Sequence, residues 1–360
     1  MNCILQIMVH CPLVARFFLG DRHNRFVCLA GESGHDEDAI AAPRRPCLAC
    51  EMDILLTHCF SGDIAPYSPH SFLHAMWCSS DHFAGYEQQD AHEFWIAVFS
   101  GICASLVPRV SSPPPPGAPD TNGARILLGK AASRDLQTIF SGQLRSQVKC
   151  ARCGHTSTKL EDFHDVSLDI SRVGCDSTAT LPGEAASPDS LDGCLRSFTR
   201  EERLGEPSWC AACGALQDAT KQLSFQRLPH VLCLHLKRFK QSASTSNKQS
   251  SSSKIDAFVD FPLHSLNLLP HAAASLCAPT ASDSSARPLP LPEHLYDLFG
   301  IAVHHGNMQN GHYTAFVRQQ ASWYHCDDAM IQPATAQTVR ACKAYMLFYV
   351  RKQVDGVSLP

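Results

Sequence analysis

The chain has 360 residues, 44% of them hydrophobic, enough to bury a large core and to set aside a disordered chain. Its net charge of −4 with 18% charged residues carries no basic footprint, so direct recognition of DNA or RNA is not expected. Eighteen cysteines in a chain of this size argue for reduced thiols and metal ligands rather than a secreted disulfide scaffold.

The opening stretch, residues 4–19, is apolar but is interrupted by Gln6, His10, Pro12 and Arg16, with no basic leader and no small-residue cleavage site. It reads as an amphipathic core segment rather than a signal peptide or a membrane anchor, so an intracellular chain with no membrane partner is the expectation. Next comes Cys47-Leu48-Ala49-Cys50, a Cys-x2-Cys turn that His23 and Cys28 would complete as a four-ligand metal site. Further along, Ala91, Phe94, Val98 and Ile102 recur at helical spacing and put Gln89, His92 and Glu93 on other faces, so residues 1–108 read as mainly helical.

Three stretches are expected to be mobile loops between ordered blocks: 111–119 with its four-proline run, 241–254 with its serines, and 271–292 with Ala, Ser and Pro. Their composition buries too little apolar surface to offset the entropy of ordering them. Between the first two lie Cys150-Ala151-Arg152-Cys153 and Cys210-Ala211-Ala212-Cys213, each followed by a glycine. Two such turns supply the tetrahedral sulfur shell that zinc favours, and four sulfurs leave no open position, so this site reads as structural. Cys59, Cys103, Cys233 and Cys342 read as small buried residues.

The second half reads as strands at 231–239, 298–305, 313–318, 322–326 and 344–350, short apolar or alternating runs bounded by turn residues. Helices first and an antiparallel sheet later predict an α+β architecture with a cleft between the layers. Reflecting the last hairpin about a turn near Gln319-Gln320 places His312 opposite Asp327 or Asp328. An imidazole with a carboxylate to fix its tautomer and stabilise its protonated form is what a cysteine nucleophile requires of its general base.

Gly85-Tyr86-Glu87-Gln88-Gln89-Asp90-Ala91-His92-Glu93-Phe94 adds a further signature, and with it the chain resembles the ubiquitin-specific proteases, the papain-like cysteine deubiquitinases. The same order is kept by Asp165-Val166-Ser167-Leu168-Asp169-Ile170, both cysteine pairs, Leu236-Lys237-Arg238-Phe239, Gly311-His312-Tyr313 and Asp327-Asp328. Within that family, Cys47 to Met52 and Cys194-Leu195-Arg196-Ser197-Phe198-Thr199-Arg200 are most similar to the branch that serves SAGA-type transcriptional coactivators. The resemblance implies one catalytic domain: thumb at 1–138, zinc-stabilised fingers at 139–227, and palm at 228–352 with insertions. It also implies His312 as general base, Asp327 as its orienting partner with Asp328 nearby, and Gln89, Asp90 and Tyr313 along the ubiquitin-binding surface.

Ubiquitin and ubiquitinated proteins are the implied partners, with histones among the substrates, SAGA-type adaptor subunits beside them, and the nucleus as the location. The family's nucleophile box ends in Cys-Phe-Met-Asn, so its cysteine would fall two residues ahead of Met1, and its oxyanion-stabilising Asn further upstream. Cys3 lies one helical turn from the expected thiol and does not replace it. As written, the chain is expected to be an N-terminally truncated, inactive form of a cysteine-type deubiquitinase. A non-catalytic ubiquitin-binding scaffold is the alternative.

Overall fold

In the computed structural model of the chain the described residues are 1–28, 46–62, 65–83, 89–107, 121–170, 190–242, 251–273, 292–307, 310–354 and 357–358. The apolar opening folds as two short helices, α1 (Asn2–Val9) and α2 (Pro12–Leu19), bent by 73° where they meet. Pro12 takes the first position of α2, where its missing N–H costs no intrahelical bond and its ring prevents α1 from continuing. α1 is buried along Cys3, Ile4, Leu5, Ile7, Met8 and Val9, as a core segment should be. No single described helix is long and apolar enough to cross a membrane.

Four more helices complete this layer: α3 (Leu48–Phe60), α4 (His70–Ser79), α5 (Ala91–Ser105) and α6 (Thr121–Phe140). On α5 the expected stripe of Ala91, Phe94, Val98 and Ile102 is buried, and Trp95 and Phe99 widen it. Trp95 packs its ring 4.8 Å from Phe140 and 5.4 Å from Phe348, and so ties the helices to the sheet behind them.

Strands β1 (Gly142–Cys150) and β2 (Thr156–Phe163) form a hairpin, β3 (Val166–Asp169) leaves it, and α7 (Leu191–Thr199) follows. Then come β4 (Glu202–Arg203), β5 (Ser208–Cys210), β6 (Ala215–Gln217) and β7 (Ala219–Arg227). One sheet runs β2-β1-β7-β4, while β5 and β6 make a small hairpin of their own. Gly154 and Gly214 close the two cysteine turns at φ of 71° and 64°, a region L-residues with a Cβ rarely enter.

The remaining strands are β8 (Val231–Lys237), β9 (Phe239–Ser242), β10 (Ser251–Lys254), β11 (Leu266–Asn267), β12 (Leu295–Gly306), β13 (Gly311–Gln319), β14 (Ser322–Asp327) and β15 (Met330–Ala334). The short α8 (Ala336–Arg340) and β16 (Ala344–Arg351) end the main sheet. Its order is β15-β14-β13-β12-β16-β8-β3 with β11 beside β12, and only the β3–β8 ladder is parallel. Alternate side chains serve two cores. Ala302, Ala315, Val317, Cys326 and Met346 pack under the helical layer, whereas Ile301, Val303, Phe316, Trp323 and Leu347 pack on the opposite side with α7.

Several expectations need correction. The strand expected at 231–239 breaks at Arg238, whose buried guanidinium donates from Nε to the Ala344 carbonyl at 2.6 Å. Its Nη1 donates to the carbonyls of Ile255 and Ala257 at 3.0 and 2.7 Å, so the break is held by a cation among backbone acceptors. Residues 241–254 are not wholly a loop, because Ser251–Lys254 pairs antiparallel with Phe239–Ser242; backbone pairing needs no apolar side chains. His271 and Ala273 are buried at the start of the third expected loop, while 274–291 and 111–119 lie outside the described residues. Cys103 and Cys233 are buried as expected, but Cys59 is exposed near the end of α3 and Cys342 is only half-buried.

Candidate functional site

The β13–β14 ladder ends at Ala315↔Cys326, a register one residue beyond the His312–Asp328 pairing read from the sequence and two beyond the His312–Asp327 pairing. Continued by one step it sets Thr314 across from Asp327, so His312 reaches Asp327 diagonally along one face of the sheet. The contact is tight: His312 Nε2 lies 2.6 Å from Asp327 Oδ1. That hydrogen bond, together with the imidazole's charge, holds the Asp327 carboxyl below its ordinary range. With side-chain exposures of 49% and 44%, both groups remain open to a substrate.

Asp328 follows at a φ of 49° in the turn before β15, a conformation aspartate tolerates. Its Oδ1 accepts from Asn2 Nδ2 at 2.7 Å, which fastens the first turn of α1 to the His-Asp pair. The pair therefore faces a helix N-terminus, where the partial positive charge favours an anion. Cys3, on that same turn, is buried, and burial raises its pKa, so it remains a thiol at neutral pH. His305 stands across the ladder from His312 and bonds Thr314 Oγ1 at 2.9 Å. Burial, then the charges of His312 and His325, lower its pKa, leaving it neutral beside the pair.

Asp90 caps α5. Its Oδ1 accepts the backbone N–H groups of His92 and Glu93 at 2.8 and 3.1 Å. Its Oδ2 accepts the hydroxyls of Tyr313 at 3.0 Å and Tyr345 at 2.5 Å. Burial and the Asp90 charge push both phenols up. Gln89 sits just ahead of the cap, its Nε2 donating to the His82 carbonyl at 3.2 Å. Two participants escaped the sequence reading. Asn2 had a signal in the Met-Asn that ends the nucleophile box, whereas nothing local marked Tyr345 as a partner of Asp90.

Besides His312, Asp327 and Asp328, two clusters could each hold a metal ion, with ligand atoms within 4.8 Å of one another: His23, Cys28, Cys47 and Cys50, and Cys150, Cys153, Cys210 and Cys213. In the first, His23 Nε2 lies 3.2 Å from Cys50 Sγ and 3.9 Å from Cys47 Sγ. In the second, Cys153 and Cys210 are 3.5 Å apart and Cys150 and Cys213 are 4.0 Å apart. The backbone N–H of Cys153, then that of Arg152, brings the Cys150 thiol down to about 7, whereas hydrogen bonding with Cys153, then burial, pushes Cys213 up to about 12, so a full thiolate shell needs a cation at its centre. Soft sulfur and imidazole donors at tetrahedral-edge spacing suit a closed site.

A model of the ubiquitin carboxyl-terminal hydrolase family matches residues 1–349. Ubiquitin C-terminal hydrolase 22 of Arabidopsis thaliana is 34% identical over 98% of this chain and 62% of its own length. The Mus musculus ubiquitin carboxyl-terminal hydrolase 22 is 35% identical over 99% of this chain and 64% of its own. The chain thus spans less than two thirds of either relative. Among solved structures, the SAGA Ubp8/Sgf11/Sus1/Sgf73 DUB module bound to ubiquitin aldehyde superposes with a TM-score of 0.71 at 27% identity, covering 98% of this chain and 67% of that one.

Proposed function

Because the chain belongs to the ubiquitin carboxyl-terminal hydrolase family, we propose that it forms the catalytic domain of a thiol-dependent deubiquitinase that cleaves the isopeptide bond between ubiquitin and a substrate lysine. The observation that carries this reading is the 2.6 Å His312–Asp327 contact at the N-terminal end of α1. A cysteine two residues ahead of Met1 would put its thiol at that helix end, where the dipole and the imidazole favour the thiolate. The thiolate attacks the carbonyl carbon of ubiquitin's terminal glycine, and His312 passes the thiol proton to the departing lysine amine. His312 then takes a proton from water, which hydrolyses the thioester. Asp327 fixes the tautomer and stabilises the imidazolium, while Asp328 holds α1 in place through Asn2.

In this reading residues 1–138 are the thumb, 139–227 the fingers and 228–352 the palm. Gln89 and Tyr313 border the path of the ubiquitin tail, and Asp90 acts by holding Tyr313. Zinc is the metal for both four-ligand clusters, with a structural role only. Likeness to the SAGA module supports SAGA-type adaptor subunits as partners, and histone substrates and a nuclear location are proposed with them from the family resemblance of 47–52 and 194–200.

The test uses ubiquitin bearing a thiol-reactive C-terminus. A chain extended by the family's nucleophile box through Cys-Phe ahead of Met1 should form a covalent adduct, and a His312→Ala change in it should slow that reaction at least tenfold. The 360-residue chain should bind ubiquitin without reacting. If the extended chain binds ubiquitin and forms no adduct, the scaffold reading takes its place.

A further inference from the structure

Helix α4 carries His70, His74 and Cys78 at successive four-residue steps, a stripe along one of its sides. The last two meet, with His74 Nε2 lying 3.8 Å from Cys78 Sγ. One nitrogen at about 2.0 Å and one sulfur at about 2.3 Å from a tetrahedral ion stand roughly 3.6 Å apart. The separation also falls between the 3.2 and 3.9 Å of the nitrogen–sulfur pairs inside the His23 cluster. His74 is exposed and Cys78 half-buried, so ions in solution reach both. α4 packs against α3, which holds its backbone in place. Two donor types of a transition-metal site, imidazole and thiol, therefore stand side by side on one helix away from the His312 site.

We propose that His74 and Cys78 form a further metal site, an exchangeable one that takes a thiophilic divalent ion such as Zn2+, with water in the open positions. On binding, Cys78 gives its proton to solvent and its sulfur lone pair bonds the metal; no electron changes hands. With fewer protein ligands than the two four-ligand clusters, the site loads and unloads at free-metal levels that leave those clusters full. It stands apart from the proposed hydrolase activity, since none of its residues borders the His312 pair.

Equilibrium dialysis of the full 360-residue chain against Zn2+, with bound metal counted by mass spectrometry, tests it. His74→Asn and Cys78→Ser should each bind one zinc ion fewer than the parent. Cys59→Ser, which removes an exposed thiol from the adjoining helix, should bind the same number as the parent. Circular dichroism matching the parent would establish that each variant folds. If His74→Asn and Cys78→Ser hold as many zinc ions as the parent, the proposal is wrong, whatever the metal content of the other two clusters.

Discussion

A carboxylate offers about four lone-pair sites, and Asp90 fills four with two backbone N–H groups and two phenol hydroxyls. One side chain thereby joins the start of α5 to β13 and β16, and Tyr313 is the residue next to His312. Removing it takes away a helix cap, worth about 1 kcal/mol. It also leaves two partly buried hydroxyls without their acceptor, at roughly 1 kcal/mol or more each. Asp90→Ala should therefore lower unfolding free energy by about 2–4 kcal/mol in urea denaturation. Asp90→Asn, which keeps a cap acceptor, should lose less, and an Asp90→Ala chain as stable as the parent would refute the node.

Among the elements, the helical stripe on α5, both cysteine turns and the strands of the last hairpin were legible because each is a local pattern of spacing or turn chemistry. The hairpin register was not, since the turn was read as Gln319-Gln320 whereas the strands close at Gln319↔Ser322, and a one-residue shift of the turn moves each cross-strand partner by two. Nor did the sequence reveal the break at Arg238, because its three carbonyl partners come from Ile255, Ala257 and Ala344, far along the chain. Close approaches between elements are equally non-local. A Cβ on Gly311 would come within 2.0 Å of the His304 ring, which is buried against Phe239 and Tyr313. Gly311→Ala should consequently cost about 1–3 kcal/mol, read as a lowered urea midpoint, with no change expected if the ring had room to move. Metal turns act on their own element: Cys150→Ala should release metal from the β1 and β5–β6 turns and increase proteolysis there while the main sheet survives. Unchanged metal content in that variant would contradict the ligand assignment.

At the scale of the whole molecule, the sheet lies between two cores, and histidines trapped at its borders make stability depend on pH. Burial brings His235 and His304 each down to about 4, against about 6.5 in an unfolded chain. His235 faces His92, stacked at 4.0 Å, with Asp90, Asp165 and Lys237 also acting on it, and its Nδ1 bonds Ser167 Oγ at 2.9 Å. His304 is influenced by Lys254, His305 and Asp90. Between pH 4 and 6.5 the unfolded chain binds more protons than the folded one, so stability rises with pH across that window. It should be fully present above about pH 6.5 and lost progressively as pH falls toward 4. The depressed carboxyls of Asp256 and Asp327 withdraw a separate contribution only below their ordinary value of 3.8, so the two effects are sequential in acid. Urea midpoints measured from pH 7.5 to 4.5 should decline, and His304→Gln should flatten the decline by removing one of the two most strongly lowered of several histidines that burial depresses. Because acid also strips metal from thiolates, the comparison of slopes between parent and variant is the decisive quantity: metal loss is common to both, and equal slopes would exclude His304 as a source of the pH dependence.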